Sequence, residues 1–128
     1  MIESIRNKLE SINNYVQNSN GLDFLIRDYD GYKLSLVGSF DLCYYHEIEI
    51  IFYEIFKISM ETSFKVDYIQ CETPVQAQFQ CCLRSYNEGL IEVFIEDVCG
   101  RKQSIVCEGI DFIIERVSYY DKTGKRIT

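Results

Sequence analysis

Residues 43–60 read Cys43-Tyr44-Tyr45-His46-Glu47-Ile48-Glu49-Ile50-Ile51-Phe52-Tyr53-Glu54-Ile55-Phe56-Lys57-Ile58-Ser59-Met60, the longest apolar and aromatic run in the chain. Ile48, Ile50, Phe52, Phe56, Ile58 and Met60 fall on one parity, and Glu47, Glu49, Ile51, Tyr53, Ile55 and Lys57 on the other. A helix would space its apolar residues by three and four, and β-branched and aromatic side chains at this density favour a pleated strand. The run is expected as one bent strand, or as two joined around Tyr53-Glu54.

The same period of two extends in both directions. Upstream, Leu22, Phe24 and Ile26 alternate, Asp30-Gly31 marks a type I′ hairpin turn, and Tyr32, Leu34 and Leu36 resume the alternation until Gly38-Ser39-Phe40-Asp41 breaks it. Downstream, Phe64, Val66 and Tyr68 precede a loop at Cys71-Glu72-Thr73-Pro74. Val75, Ala77, Phe79, Cys81 and Leu83 then face away from Gln76, Gln78, Gln80 and Cys82. Turns at Asn87-Glu88-Gly89 and Gly100-Arg101-Lys102 bracket Ile91, Val93 and Ile95, and the last strands carry Ile105, Cys107, Ile110, Phe112 and Ile114. Val117 and Tyr119 extend them before a loose basic tail.

Only the first residues keep a helical period. Ile2, Ile5, Leu9, Ile12 and Val16 make one narrow stripe, and Asn18-Ser19-Asn20-Gly21 stops the helix, glycine supplying a left-handed cap. The stripe is too short for a coiled coil and is expected to dock on a sheet. The fold class is therefore α+β. Residues 1–128 form a single domain: a helix over 1–19, a β-rich body over 22–120, and a tail over 121–128. The body is a curved, mainly antiparallel sheet of about six to eight strands, barrel-like or sandwich-like.

The chain has 128 residues, long enough to bury one core without a disulfide or metal staple. Hydrophobic residues at 47% and charged residues at 26% argue against disorder, and no apolar run reaches the roughly 20 residues of a membrane helix. The start lacks the basic and apolar blocks of a secretory signal, so a cytoplasmic location is expected. Twenty acidic against 13 basic residues give a net charge of −7, which repels nucleic-acid phosphates and attracts a basic protein.

The six cysteines and the single histidine lack metal-ligand spacing, so no metal and no cofactor is expected. In a reducing compartment the thiols are expected to be reduced and mostly buried. Cys43, His46 and Glu47 contain the ingredients of a thiol–imidazole–carboxylate site. Positions three apart on a strand face opposite sides, however, and a structural histidine is the simpler expectation. Phosphate-cradling loops and serine-nucleophile elbows are absent, so the chain is not expected to be an enzyme. Glu47, Glu49, Glu92 and Glu96 are placed on outward strand faces beside Tyr44, Tyr45, Tyr53 and Phe94, with His46 at the strand start. Acids and aromatics together on an exposed face suit a basic protein partner.

The stretch Ser39-Phe40-Asp41 through Tyr45-His46-Glu47-Ile48-Glu49-Ile50 to Phe52 resembles the start of small β-rich immunity proteins of bacterial polymorphic-toxin systems. Those proteins carry a Phe/Tyr-His-acid step leading into alternating strands; their usual His-Asp stands here as His46-Glu47. The resemblance implies a cytoplasmic, non-enzymatic protein that binds and blocks a toxin domain. An expectation of a different class is a carrier for a small apolar ligand, held in a cavity of the curved sheet. A homodimer through helix 1–19, or through an edge strand such as Val75 to Leu83, is a further expectation.

Overall fold

The computed structural model describes residues 2–19, 22–66, 79–82, 90–96 and 101–127, with side chains at 4–19, 22–64, 90–95 and 101–127. Among the described residues one helix, α1 (Ile2–Gln17), precedes seven strands: β1 (Leu22–Tyr29), β2 (Lys33–Ser39), β3 (Tyr45–Ser59), β4 (Ser63–Val66), β5 (Phe79–Cys82), β6 (Ile91–Glu96) and β7 (Lys102–Ser118). They form one curled antiparallel sheet in the order β4-β1-β2-β3-β7-β6-β5, which is the α+β architecture expected from the periodicity. The expected loop at Cys71–Pro74, the turn at Asn87–Gly89, Gly100 and the Asn20-Gly21 helix stop lie outside the described residues. So do Tyr68 and both ends of the strand expected from Val75 to Leu83, of which β5 is the described part.

The helix docks on the sheet. Ile5, Leu9, Ile12 and Val16 are buried in one cluster with Leu22, Phe24, Leu34, Leu36, Ile48, Ile50, Phe52, Val93, Ile95 and Ile105. Each such side chain contributes about 1.5–3 kcal/mol by leaving water, far more than sixteen residues gain from helix propensity alone.

The long β3–β7 pair departs from simple alternation. Ile48↔Ile114, Ile50↔Phe112 and Phe52↔Ile110 share the helix-facing side, and the next pairs on that side are Ile55↔Cys107 and Ile58↔Ile105. Both strands therefore change parity around Glu54, whose φ of 53° lies in the left-handed region, with the register kept there and slipping between Ile55 and Lys57. This corrects the expected faces: Ile55 packs on the core, while Phe56 is 57% exposed. A strand of fifteen residues cannot follow a curled sheet without such local twisting, and bulges supply it. Of the two expectations, one bent strand or two joined around Tyr53-Glu54, one continuous strand forms, with the left-handed Glu54 inside it.

Two other local readings also change. Gly38 was expected to end a strand, but β2 runs through it to Ser39, with Gly38 paired to Phe24 on one side and Ile48 on the other. A Cβ at position 38 would lie 2.5 Å from Phe24 Cε1 and 2.9 Å from Ile48 Cγ2, so the glycine makes room for the Phe24 ring. That ring in turn stacks on Phe64 with centroids 5.7 Å apart. In the first hairpin, Asp30 pairs with Lys33, so the turn residues are Gly31 and Tyr32, and only Gly31 has positive φ (89°). That is the pattern of a type II′ turn rather than type I′. The Asp30 carboxylate accepts the Tyr32 and Lys33 N–H groups at 2.9 and 2.7 Å, which holds its carboxyl below the usual carboxylate range.

The end of the chain carries hydrogen bonds of its own. Tyr119 N–H donates to Tyr44 O, Ile127 N–H donates to Tyr119 O, and Tyr120 bridges Arg126, closing a turn capped by the Asp121 carboxylate on Thr123 and Lys125.

Candidate functional site

The segment between β2 and β3 is built by Asp41. Its carbonyl accepts the Tyr44 and Tyr45 N–H groups, its carboxylate accepts the Cys43 N–H at 3.1 Å, and its own N–H donates to Ser39 Oγ at 2.9 Å. This turn delivers the chain into β3 with Phe40 and Tyr44 at 67% and 61% exposure. A register slip between His46 and Ile48 then changes which side the first residues of β3 serve.

Glu47 uses that slip to reach the helix. Its Oε1 accepts the Tyr15 hydroxyl at 2.8 Å, and its Oε2 accepts the Phe40 N–H at 3.4 Å. One carboxylate thus ties α1 to the β2–β3 turn. Burial and the Glu47 hydrogen bond push the Tyr15 phenol up to about 12, so it stays a protonated donor throughout the physiological range. Beside this bond lies a depression of 340 Å³, open to solvent and lined by Tyr15, Tyr45, Glu47, Ile114, Glu115 and Arg116. The Arg116 guanidinium lies over the Tyr45 ring, 4.1 Å from its centroid. Ile114 is 46% exposed although its cross-strand partner Ile48 is fully buried.

His46 is only 2% exposed, and its Nδ1 lies 2.8 Å from the Tyr119 hydroxyl. Burial and the nearby Arg27 charge lower the imidazole pKa, against a smaller opposing pull from Glu49 and Glu115. Burial raises that of Tyr119. The Ser35 hydroxyl donates to the Glu49 carboxylate. The face of β2 and β3 turned away from the helix is therefore not simply wet. Val37 is 1% exposed, Ser35 and Ile51 are nearly as buried, and Glu49 is half-buried among them. The outward, solvated placement expected for Glu47 and Glu49 is corrected on both counts: one is bound to the helix, the other is half-buried beside Val37 and Ile51 and accepts the Ser35 hydroxyl.

The nine expected site residues do not form one surface. Tyr44, Tyr45, His46, Glu47 and Glu49 gather at the start of β3, and Tyr44 meets the Tyr120 ring at 5.9 Å. Tyr53 lies further along, half-buried between Lys33 and Gly109. Glu92 and Phe94 are half-buried on β6, opposite Val106 and Ser104, which pair in turn with Lys57 and Ser59 of β3. Ten residues of strand separate Glu47 from Lys57, a path of at most about 33 Å at roughly 3.3 Å per residue. Lys102 lies 5.6 Å from the centre of the Phe94 ring. Glu96 belongs to β6 by its backbone, and its side chain lies outside the described residues.

Cys43, His46 and Glu47 are not assembled as a catalytic set. Cys43 is exposed on the turn, the imidazole Nδ1 faces Tyr119, and the carboxylate is engaged by Tyr15 and Phe40. Cys107 is buried, and Cys71, Cys81, Cys82 and Cys99 have no described side chains. Among the described residues no three His, Cys, Asp or Glu side chains gather as metal ligands could, and no helix is long and apolar enough to cross a membrane.

No known protein family, curated protein or solved structure matches this chain. The site must be read from its own chemistry. Sequence reasoning missed Tyr15, Ile114, Glu115, Arg116 and Tyr119. Tyr15 carried a faint signal, an aromatic set just beside the helix stripe at Ile12 and Val16. The β7 residues carried none, because their placement depends on the register slip opposite His46.

Proposed function

We propose that this chain is a non-catalytic protein-binding domain that engages a basic partner through the end of the sheet where β3 begins. The observation that carries the reading is the open depression of 340 Å³ with Glu47 and Glu115 in its walls and the exposed Phe40 beside Glu47. Interfaces concentrate their energy in aromatic and apolar anchors beside charges that select the partner's sign. A net charge of −7 steers a basic surface toward the molecule from a distance. The resemblance of Ser39 to Phe52 to immunity proteins supports a narrower form of the same proposal, in which the partner is a basic toxin domain and binding blocks it. The ligand-carrier alternative requires an enclosed apolar cavity; the depression described here opens to solvent and has charged walls.

The test is retention of partners from a lysate of the source cells on the immobilised chain, at about 0.1 M and about 1 M salt. The screening length drops from about 10 Å to about 3 Å between these conditions. A single basic protein held at low salt and released at high salt is the expected result. Retention of no protein, or of one indifferent to salt, sinks the proposal.

A further inference from the structure

We infer that the depression between α1 and the β3–β7 pair is a socket for one arginine side chain of the partner, an assignment that rests on the protein-binding reading above. Its volume of 340 Å³ is roughly ten times the ~30 Å³ share of one water, enough for a long side chain and its remaining hydration. Its walls hold two carboxylates, Glu47 and Glu115, against one guanidinium, Arg116, so one negative charge is left unbalanced within it.

The geometry favours a cation with a flat, fork-shaped head. Glu47 is held in place by Tyr15 and by the Phe40 N–H, each bonded to a different oxygen, so the acceptor is oriented before any ligand arrives. The Tyr15 phenol remains a donor to that carboxylate up to about pH 12 and does not compete for the cation. One face of the Tyr45 ring is already covered by the Arg116 guanidinium at 4.1 Å, so the incoming cation is held by the two carboxylates and not by that face. Ile114, in the wall and 46% exposed, offers apolar surface for the methylene stem. Arginine suits these features better than lysine, because its planar fork matches the geometry of a pre-oriented carboxylate.

The experiment is a titration of the full ¹⁵N-labelled chain with N-acetyl-arginine amide, its lysine analogue and the uncharged norleucine analogue, following backbone amide shifts. With the arginine probe, shifts concentrated at Tyr15, Tyr45, Glu47 and Glu115 and saturating in the millimolar range are expected. The lysine probe should bind more weakly and the norleucine probe should leave these amides unmoved. Glu115→Gln, and Glu47→Gln, which keeps an acceptor for Tyr15, should each weaken the arginine probe by about threefold or more. Glu92→Gln, an acid on the distant β6, should leave it unchanged. Equal shifts with norleucine, shifts spread evenly over the acidic residues, or no saturable shift would each overturn the socket. The two proposals can also fail separately. A basic partner that binds wild type and Glu115→Gln equally removes the socket and leaves the binding reading intact. A pulldown without any salt-sensitive protein removes the binding reading, while the titration still decides the socket.

Discussion

Replacing Gly38 by alanine should destabilise the fold, even though glycine inside a strand is ordinarily a weak point. A methyl group at this position would stand 2.5 Å from Phe24 Cε1 and 2.9 Å from both Phe24 Cζ and Ile48 Cγ2. Phe24 and Ile48 are fully buried, and Phe24 is wedged against Phe64, so none of these atoms is the free end of a mobile side chain. Overpacking of this kind costs about 1–3 kcal/mol, while the reduced freedom of the unfolded chain returns about 0.4–1 kcal/mol. A net loss of about 1–2 kcal/mol remains. At this chain length that corresponds to a fall in Tm of about 3–10 °C. Urea denaturation followed by circular dichroism should show a lower midpoint at unchanged slope. Gly109→Ala is the internal control, because nothing lies within 4 Å of a Cβ built there; it should be neutral or slightly stabilising. Combining Gly38→Ala with Phe24→Leu, which frees the space, should cost less than the sum of the two single changes. A Gly38→Ala protein as stable as wild type would refute the close approach of Phe24 to β2.

Tyr15→Phe removes the donor to Glu47 and should cost about 1–2 kcal/mol in chemical denaturation; spectrophotometric titration of the wild type should find one phenol ionising near 12 that the variant lacks. His46 has a folded pKa below its unfolded 6.5, so the unfolded chain binds the extra proton. Stability is therefore full above about pH 6.5 and declines as pH falls below it; denaturation at pH 7.5 and pH 5 should show the decline, and His46→Gln should flatten it. Under native conditions a bulky thiol reagent should label Cys43 and spare Cys107, with Cys107 reacting only on unfolding; equal labelling by mass spectrometry would contradict their exposed and buried placement. Glu61 and Arg101 form an exposed ion pair at 2.8 Å, and Glu61→Gln should change stability by less than about 0.5 kcal/mol.

What could be read from the chain alone was whatever depends on neighbours in sequence. The stripe from Ile5 to Val16, the alternation of Leu34 and Leu36, and that of Ile48, Ile50 and Phe52 each name a buried face, because side-chain direction follows a local period of 3.6 or 2. The helix and the antiparallel sheet followed from these, whereas the burial of His46 came with the register slip between it and Ile48. Tertiary structure decided everything that depends on how strands curl against each other. The left-handed Glu54 and the register slip at Ile55 put Phe56 in water and Ile55 in the core, a reversal that alternation cannot signal. Gly38 looked like a strand break until Phe24 was seen to lie against it, since a missing side chain leaves no mark on the period. The candidate site divides in the same way. Tyr45, His46 and Glu47 were legible as an aromatic and acidic strand start. Their partners Tyr15, Glu115, Arg116 and Tyr119 come from the first and last parts of the chain, brought there by a docked helix and a seventeen-residue strand whose register only the folded sheet sets.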